Sequence, residues 1–218
     1  MTAENRKDFD KEAAQWDSNP GRVRLASDVG AAIIAAIPLT KDTTVIDFGC
    51  GTGLLTLKLQ PLVKSITGVD NSPGMLAMLK NKIAEQDLGN VLTQHVDFEK
   101  GQHVSGQYDL IVSSMVLHHI PDTAELFKEW LGLLRPNGQV CFADLDTEDG
   151  AFHGDNTGVH HLGFDRAKLK QLLLEAGYCE VCDTTATIIS KEVDGKQRTF
   201  PIFLITAKVR SLAISSRF

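Results

Sequence analysis

Between Thr43 and Ala143 short apolar, β-branched runs alternate with segments that carry helix signals, without any internal sequence repeat. Thr43 to Phe48, Ser65 to Val69, Val91 to Val96, Tyr108 to Ser113 and Gln139 to Ala143 read as buried strands. Leu54 to Leu59 reads as a helix. Ser72 is placed as an N-cap, with Pro73 at the first helical position of a helix to about Gln86. Asp122-x-x-Glu125 has capping-box spacing, with Asp in place of Ser or Thr, ahead of a helix to Leu134. Strands separated by helical crossovers run parallel, and their helices cover both faces of the sheet. The expected fold is α/β, doubly wound and Rossmann-like. A chain of 218 residues, 43% of them hydrophobic, suits a single domain with a sizeable core.

The flanks of this alternation read differently. Phe9, Ala13 and Trp16 recur at helical spacing, so a short amphipathic helix is expected before the break at Asn19-Pro20-Gly21. Val23, Ala26, Val29, Ile33, Ala36 and Ile37 then mark one face of a helix that ends before Pro38. Residues 1–40 thus form a helical cap on a core over 43–145. Asp144 to Phe164 has little periodicity and several glycines, and reads as a long functional loop. Asp165 caps a helix to Ala176, with Gly177 as its left-handed stop. Cys179 to Ser190 and Thr199 to Val209 read as two strands paired antiparallel through the hairpin signal Asp194-Gly195. The loop, helix and hairpin fill 146–209. Arg210 to Phe218 is expected to be disordered beyond the last strand.

The net charge is -6, and no basic stripe suits a phosphate backbone, so nucleic acid is a poor partner. Met1 to Trp16 mixes both charge signs and lacks the apolar stretch of a secretory signal. The longest apolar run, Ala31 to Ile37, falls far short of the roughly 20 residues that span a bilayer. A soluble cytoplasmic protein is expected, with no membrane partner. The four cysteines are expected to be reduced, with buried or half-buried thiols. Cys179 and Cys182 lie three apart on a strand and lack a second pair for zinc.

In open α/β sheets ligands bind at the carboxyl ends of the strands. After the first strand comes Asp47-Phe48-Gly49-Cys50-Gly51-Thr52-Gly53. Alternate glycines let the backbone turn tightly and leave N–H groups facing a ligand. The spacing departs from the dinucleotide fingerprint G-x-G-x-x-G. Asp47 would repel a pyrophosphate but suits an ammonium or the loop's own amides. By itself the run is also compatible with a tight strand–helix turn. Asp70-Asn71 follows the second strand; a carboxylate there either accepts from two ribose hydroxyls or caps a helix. Asp97-Phe98 follows the third, where the acid suits an exocyclic amine and the ring suits a base, or both belong to a solvated loop.

These pieces, in this order, resemble the class I S-adenosylmethionine-dependent methyltransferases. The closest likeness is to the small-molecule, type 11/12-like subgroup that includes ubiquinone and arsenite methylating enzymes. The segments VIDFGCGTG, GVDNSPGML, HVDFE, YDLIVSSMVLHHIPD and LLRPNGQVCFADL carry the resemblance from about Thr43 to Leu145. It implies a seven-stranded, mostly parallel sheet with an antiparallel last strand. It implies S-adenosylmethionine as cofactor, with Asp47, Gly49, Cys50, Gly51, Thr52 and Gly53 around its methionine part. It implies Asp70 on the ribose, Asn71 and Met75 beside the adenine, Asp97 and Phe98 at the adenine amine and pocket, and Ser113 near the methionine amino group. The likeness weakens after Leu145, where such families vary with substrate.

Methyl transfer needs alignment of a nucleophile, and a base only where the acceptor carries a proton that must leave. His118 and His119, after the fourth strand, are the candidates for base or substrate contact, or pack and cap the next helix. His153, His160 and His161 add to them from the loop. Five of the seven histidines therefore fall in two segments expected near one face. No ligand spacing is met and no metal is expected. The Phe152 to Asn156 run is expected to shape the pocket for a small-molecule acceptor. Trp16 and the first helix either cover the cofactor as a lid or simply pack. Cys50 in the glycine loop and strand-borne cysteines elsewhere disfavour arsenite. The alternatives are a non-catalytic, cofactor-binding partner subunit and a nicotinamide oxidoreductase. The glycine spacing and Asp47 disfavour the latter. A homodimer is compatible with the sequence.

Overall fold

The computed structural model describes residues 7–210. The expectation of disorder at the C-terminus falls, from residue 211 on, outside them. Seven strands form one open sheet: β1 (Thr44–Phe48), β2 (Ser65–Asp70), β3 (Val91–His95), β4 (Tyr108–Ser114), β5 (Leu134–Leu145), β6 (Tyr178–Val193) and β7 (Lys196–Val209). Their order is β3-β2-β1-β4-β5-β7-β6. The first five run parallel, and β7 is antiparallel to both β5 and β6. The chain reverses its direction of strand addition between β3 and β4. The β1–β4 junction is therefore the switch point where ligands of such sheets lie.

Alternation along the strands feeds two cores. Ile46, Ile111, Phe142 and Phe203 face one side, against Phe127 and Trp130 of α5 (Thr123–Leu133) and Leu173 of α6 (Arg166–Ala176). Val45, Val112, Cys141 and Leu204 face the other, against Ile33 of α2 (Pro20–Ala36) and Leu59 of α3 (Leu54–Leu59). Each large apolar side chain so buried contributes about 1.5–3 kcal/mol. The helix α4 (Pro73–Glu85) lies on the second side, with Leu79 against Gly68. Its cap is as expected: Ser72 Oγ accepts from the Met75 N–H at 3.1 Å, and Pro73 follows. Asp122 and Asp165 likewise cap α5 and α6, and Gly177 ends α6 at φ 112°. Asp194 and Gly195, at φ 50° and 72°, make the two-residue hairpin turn.

Three expectations are corrected. The first helix is a single α-turn, α1 (Phe9–Glu12), that tightens into a 3-10 segment over Ala13–Ser18. The fifth strand runs from Leu134 to Leu145, and Pro136-Asn137-Gly138 forms an irregularity within it, with Asn137 at φ 66°. Asp144 is therefore a buried strand residue and not part of the loop. Cys50 and Cys141 are buried and Cys179 half-buried, but Cys182 is exposed. A bulge with Glu180 at φ 50° breaks the alternation of β6 between Cys179 and Cys182, and this strand is the sheet edge.

Candidate active site

The carboxyl ends of β1, β2 and β4 meet at the glycine loop. The Gly49 and Cys50 N–H groups both donate to the Val69 carbonyl at the end of β2, at 2.8 and 3.0 Å. Gly49 and Gly53 have φ of 70° and 85°, and a Cβ on either would lie 2.3 Å from Val116 Cγ2 or Leu79 Cδ1. Gly51, at φ 53°, faces open space, where an added Cβ would meet only Met75 Sδ at 3.9 Å. The loop is thus closed on its protein side and open on one face.

Two acids stand at it, and a third follows the neighbouring strand β3. Asp47 is buried and accepts from Thr56 Oγ1 at 2.5 Å. Burial pushes its carboxyl up to about 7, the Thr56 hydrogen bond opposes this, and the Asp70 charge adds to it. Asp70 accepts from the Gly51 N–H at 2.8 Å and the Ser72 N–H at 2.9 Å, so it holds both the loop and the start of α4. Burial raises its carboxyl too, against the pull of these amides. Asp97 is buried beyond β3, with Lys100 Nζ at 3.0 Å.

A strap formed by α1 and the 3-10 segment crosses this end of the sheet. Asp10 accepts from the Gly74 N–H at 2.7 Å and from the Ser72 hydroxyl. Asp17 accepts from Thr52 Oγ1 at 2.5 Å and pairs with Lys82, which also donates to the Thr52 carbonyl. Trp16 stacks under the Arg22 guanidinium at 3.6 Å, and Phe9 meets the His119 ring edge-on at 5.3 Å.

Beyond β4 lies a cluster of imidazoles. Met115, at φ 60°, turns the chain into the 3-10 segment Leu117–His119. The His118 ring lies 4.1 Å from that of His119 and 4.9 Å from that of His153. His118 Nδ1 is 2.8 Å from Asp144 Oδ1, at the end of β5. Burial pushes the Asp144 carboxyl up, but the adjacent His118 and three hydrogen bonds outweigh it and hold the acid below its usual range. His119 Nδ1 is 2.7 Å from the Gly158 carbonyl. Burial, then His118, pushes His119 down to about 4; burial, His118 and His119 push His153 down to about 3. Among the described residues, no group of three or more His, Cys, Asp or Glu is arranged to hold a metal ion. No helix of the described residues is long and apolar enough to cross a membrane.

Residues 45–138, from β1 to the start of β5, match the family model of a methyltransferase domain. Over this segment the chain is similar to the class I S-adenosylmethionine-dependent methyltransferases. An uncharacterized methyltransferase of Schizosaccharomyces pombe is 32% identical over 170 residues, 71% of this chain and 60% of that protein. A ubiquinone biosynthesis O-methyltransferase of Coxiella burnetii is 29% identical over 147 residues, 66% of this chain and 62% of that one. The chain thus spans less than two thirds of either relative. Phosphoethanolamine N-methyltransferase 2 of Haemonchus contortus, solved with S-adenosyl-L-methionine, shares the fold at a TM-score of 0.70 and 13% identity, over 93% of this chain and 60% of that one.

The structure gathers most of the residues singled out from the sequence. Asp47, Gly49, Gly51, Gly53 and Asp70 converge on the loop, with the Met75 side chain buried beside it. Cys50 turns inward against Gly68, and burial raises its thiol well above the usual range. Thr52 is buried under the strap. Asn71 is exposed, and its carbonyl lies 3.1 Å from His95 Nε2. Phe98 stacks on Phe48 at 4.8 Å, so its ring is part of the core as well as a neighbour of the strand ends. The Ser113 hydroxyl donates to the Phe48 carbonyl at 2.9 Å and ties β4 to β1. Of the loop histidines only His153 joins the cluster; His160 is exposed and His161 Nε2 lies 2.9 Å from the Ile120 carbonyl. Sequence reasoning did not find Asp10, Asp17, Thr56 or Lys82, which bind across long sequence separations. Asp144 carried one missed signal, as an acid directly following a strand.

Proposed function

We propose that this chain transfers the methyl group of S-adenosylmethionine to a small-molecule acceptor. The observation that carries the reading is the set of acids Asp47, Asp70 and Asp97 following β1, β2 and β3, the first two at a glycine loop open on one face. A buried carboxyl raised to about 7, with no cationic side chain bonded to it among the described residues, suits a positively charged ligand, and the sulfonium and ammonium of this cofactor supply that charge. S-adenosylmethionine contributes an electrophilic methyl and a neutral thioether leaving group. Asp70 offers its remaining lone pairs to the ribose hydroxyls. Asp97 and Phe98 take the adenine end, and the strap excludes water from the loop. His118 and His119 stand on the acceptor side. The alignment these residues impose is worth about 7 kcal/mol of barrier in favourable cases. A cytoplasmic location and a homodimer are parts of the same proposal, tested by fractionation and by light scattering.

Calorimetry with S-adenosylmethionine, its demethylated product and NAD tests the donor, and both sulfur nucleosides are expected to bind. Strong NAD binding with no response to either would falsify the reading. A methyl-transfer screen of a metabolite extract, read by mass spectrometry, tests turnover; binding without any transfer supports a partner subunit instead.

A further inference from the structure

The imidazole cluster has a polarity of its own. Asp144 accepts three hydrogen bonds, from the His118 ring at 2.8 Å, the His118 N–H at 3.2 Å and the Leu145 N–H at 2.8 Å. An ionised carboxylate only accepts, so His118 Nδ1 bears a proton, and whenever the ring is neutral its lone pair falls on Nε2. That Nε2 is buried with no hydrogen-bond partner among the described residues, on a side chain 1% exposed. His153 Nε2 is a second buried nitrogen without such a partner. A buried polar atom left unpaired costs about 1–3 kcal/mol. Two of them in adjoining rings, brought together from β4 and from the 146–164 loop, form a place for a polar ligand atom.

The loop is held there by its main chain. The His160 and His161 N–H groups donate to the His118 carbonyl at 2.8 and 3.2 Å. Lys191 of β6 donates to the Phe152 carbonyl at 2.9 Å and lies 3.6 Å over its ring. Lys7 and Lys191 add positive potential at His153. Glu148 is the carboxylate opposing Lys191, and Asp144 is matched by His118. Glu148 Oε2 accepts from the Phe152 N–H at 3.0 Å and its Oε1 is buried without a hydrogen-bond partner among the described residues, so one carboxylate also stands by this loop. A hydroxyl matches one ring acceptor and one ring donor.

We propose that His118 and His153 form the acceptor subsite, and that the acceptor is a weakly acidic hydroxyl of the phenol or enol class. This rests on the methyl-transfer reading above. His153 donates from Nε2–H to the hydroxyl oxygen, and His118 takes the hydroxyl proton at Nε2. The oxygen–carbon bond forms as the methyl–sulfur bond breaks, and that electron pair stays on sulfur. The product is an ether and a neutral thioether. The proton on His118 is held as an imidazolium against Asp144 and passes to solvent when the product leaves. Both nitrogens are out of solvent in the described arrangement, so the acceptor enters as the 146–164 loop moves aside.

The probes are 4-nitrophenol, whose absorption reports its own ionisation, and catechol, with ethanolamine and 2-mercaptoethanol as the other nucleophile classes. With S-adenosylmethionine or its demethylated product bound, 4-nitrophenol is expected to bind and to ionise at a pH below its value in free solution. His118→Gln is expected to abolish that ionisation, a readout that loss of packing alone would not move. His153→Gln is expected to weaken binding about tenfold and retain the ionisation. Radiolabel transfer to catechol is expected to fall by about 10²–10⁴ in kcat in His118→Gln, with S-adenosylmethionine affinity unchanged. Three results overturn the assignment: phenols that neither bind nor ionise while the cofactor binds, ionisation that survives His118→Gln, or transfer to the amine or thiol at equal rates with and without His118. Failure of S-adenosylmethionine itself to bind overturns the donor reading, and this one with it.

Discussion

The two sides of the switch point are built on opposite terms. On the β1–β2 side, the glycine loop is fixed by main-chain bonds to Val69, by the Asp70 carboxylate and by two acids of the strap. Its ionisable groups are acids raised by burial. On the β4–β5 side, His119 and His153 are imidazoles lowered by burial, two ring nitrogens lack hydrogen-bond partners among the described residues, and one ring comes from an irregular loop. The first side is a backbone mould for one ligand. The second is a set of side chains on a segment that can change without disturbing the sheet.

The sharpest break of the comparison is steric. Gly49→Ala places a Cβ against Val116 at positive φ and is expected to destabilise the chain by about 3 kcal/mol in urea unfolding. His153→Ala, on the other side, is expected to change stability by less than about 1 kcal/mol, because it also removes an unpaired buried nitrogen. Equal losses would mean that the two sides do not differ in rigidity. Next in size is Asp70→Ala. It is expected to cost about 2 kcal/mol of cofactor affinity by calorimetry, and unchanged affinity refutes the ribose assignment.

The two sides should also answer pH with opposite signs. Asp47 has a folded value of about 7 against 3.8 as a free side chain. Between these values the folded chain holds a proton that the unfolded chain has lost. Stability from this group therefore falls as pH rises through the window, at up to about 1.4 kcal/mol per pH unit, and Asp47→Asn should flatten the slope. His119 and His153 have folded values of about 4 and about 3 against 6.5. Their contribution is complete above 6.5 and is lost as pH falls toward those values. The effects oppose one another over the shared range, so melts of the wild type and of Asp47→Asn across it separate them. Bound cofactor should reduce only the Asp47 slope, because its positive charge favours the carboxylate. A further, modest effect concerns the strap. Asp17→Ala is expected to cost about 1 kcal/mol of stability and to speed cofactor release in stopped-flow measurements.

Much of this could be read in advance because it is local. The strands, the caps at Ser72, Asp122 and Asp165, and the Asp194-Gly195 turn each rest on residues within a few positions of one another, where periodicity and side-chain-to-backbone bonds act directly. The acids after β1, β2 and β3 were legible because a parallel sheet brings all its strand ends to one edge. The ends of β5 and β6 were misjudged because pairing with β7 extends them past the point where their own pattern fades. Cys182 was misplaced by a bulge that no spacing rule announces.

The sequence alone determined the layers of the fold and the placing of the glycine loop and its acids at the strand ends, since both follow from short-range pattern and strand order. Only the tertiary structure decided how the donor loop is closed and what faces the acceptor. Asp17 reaches Thr52, Asp10 reaches Gly74, and Asp144 and His153 reach His118. Each of those contacts joins distant segments. Its partners are chosen by where the packed sheet delivers them, and burial then sets which of the groups carries a proton.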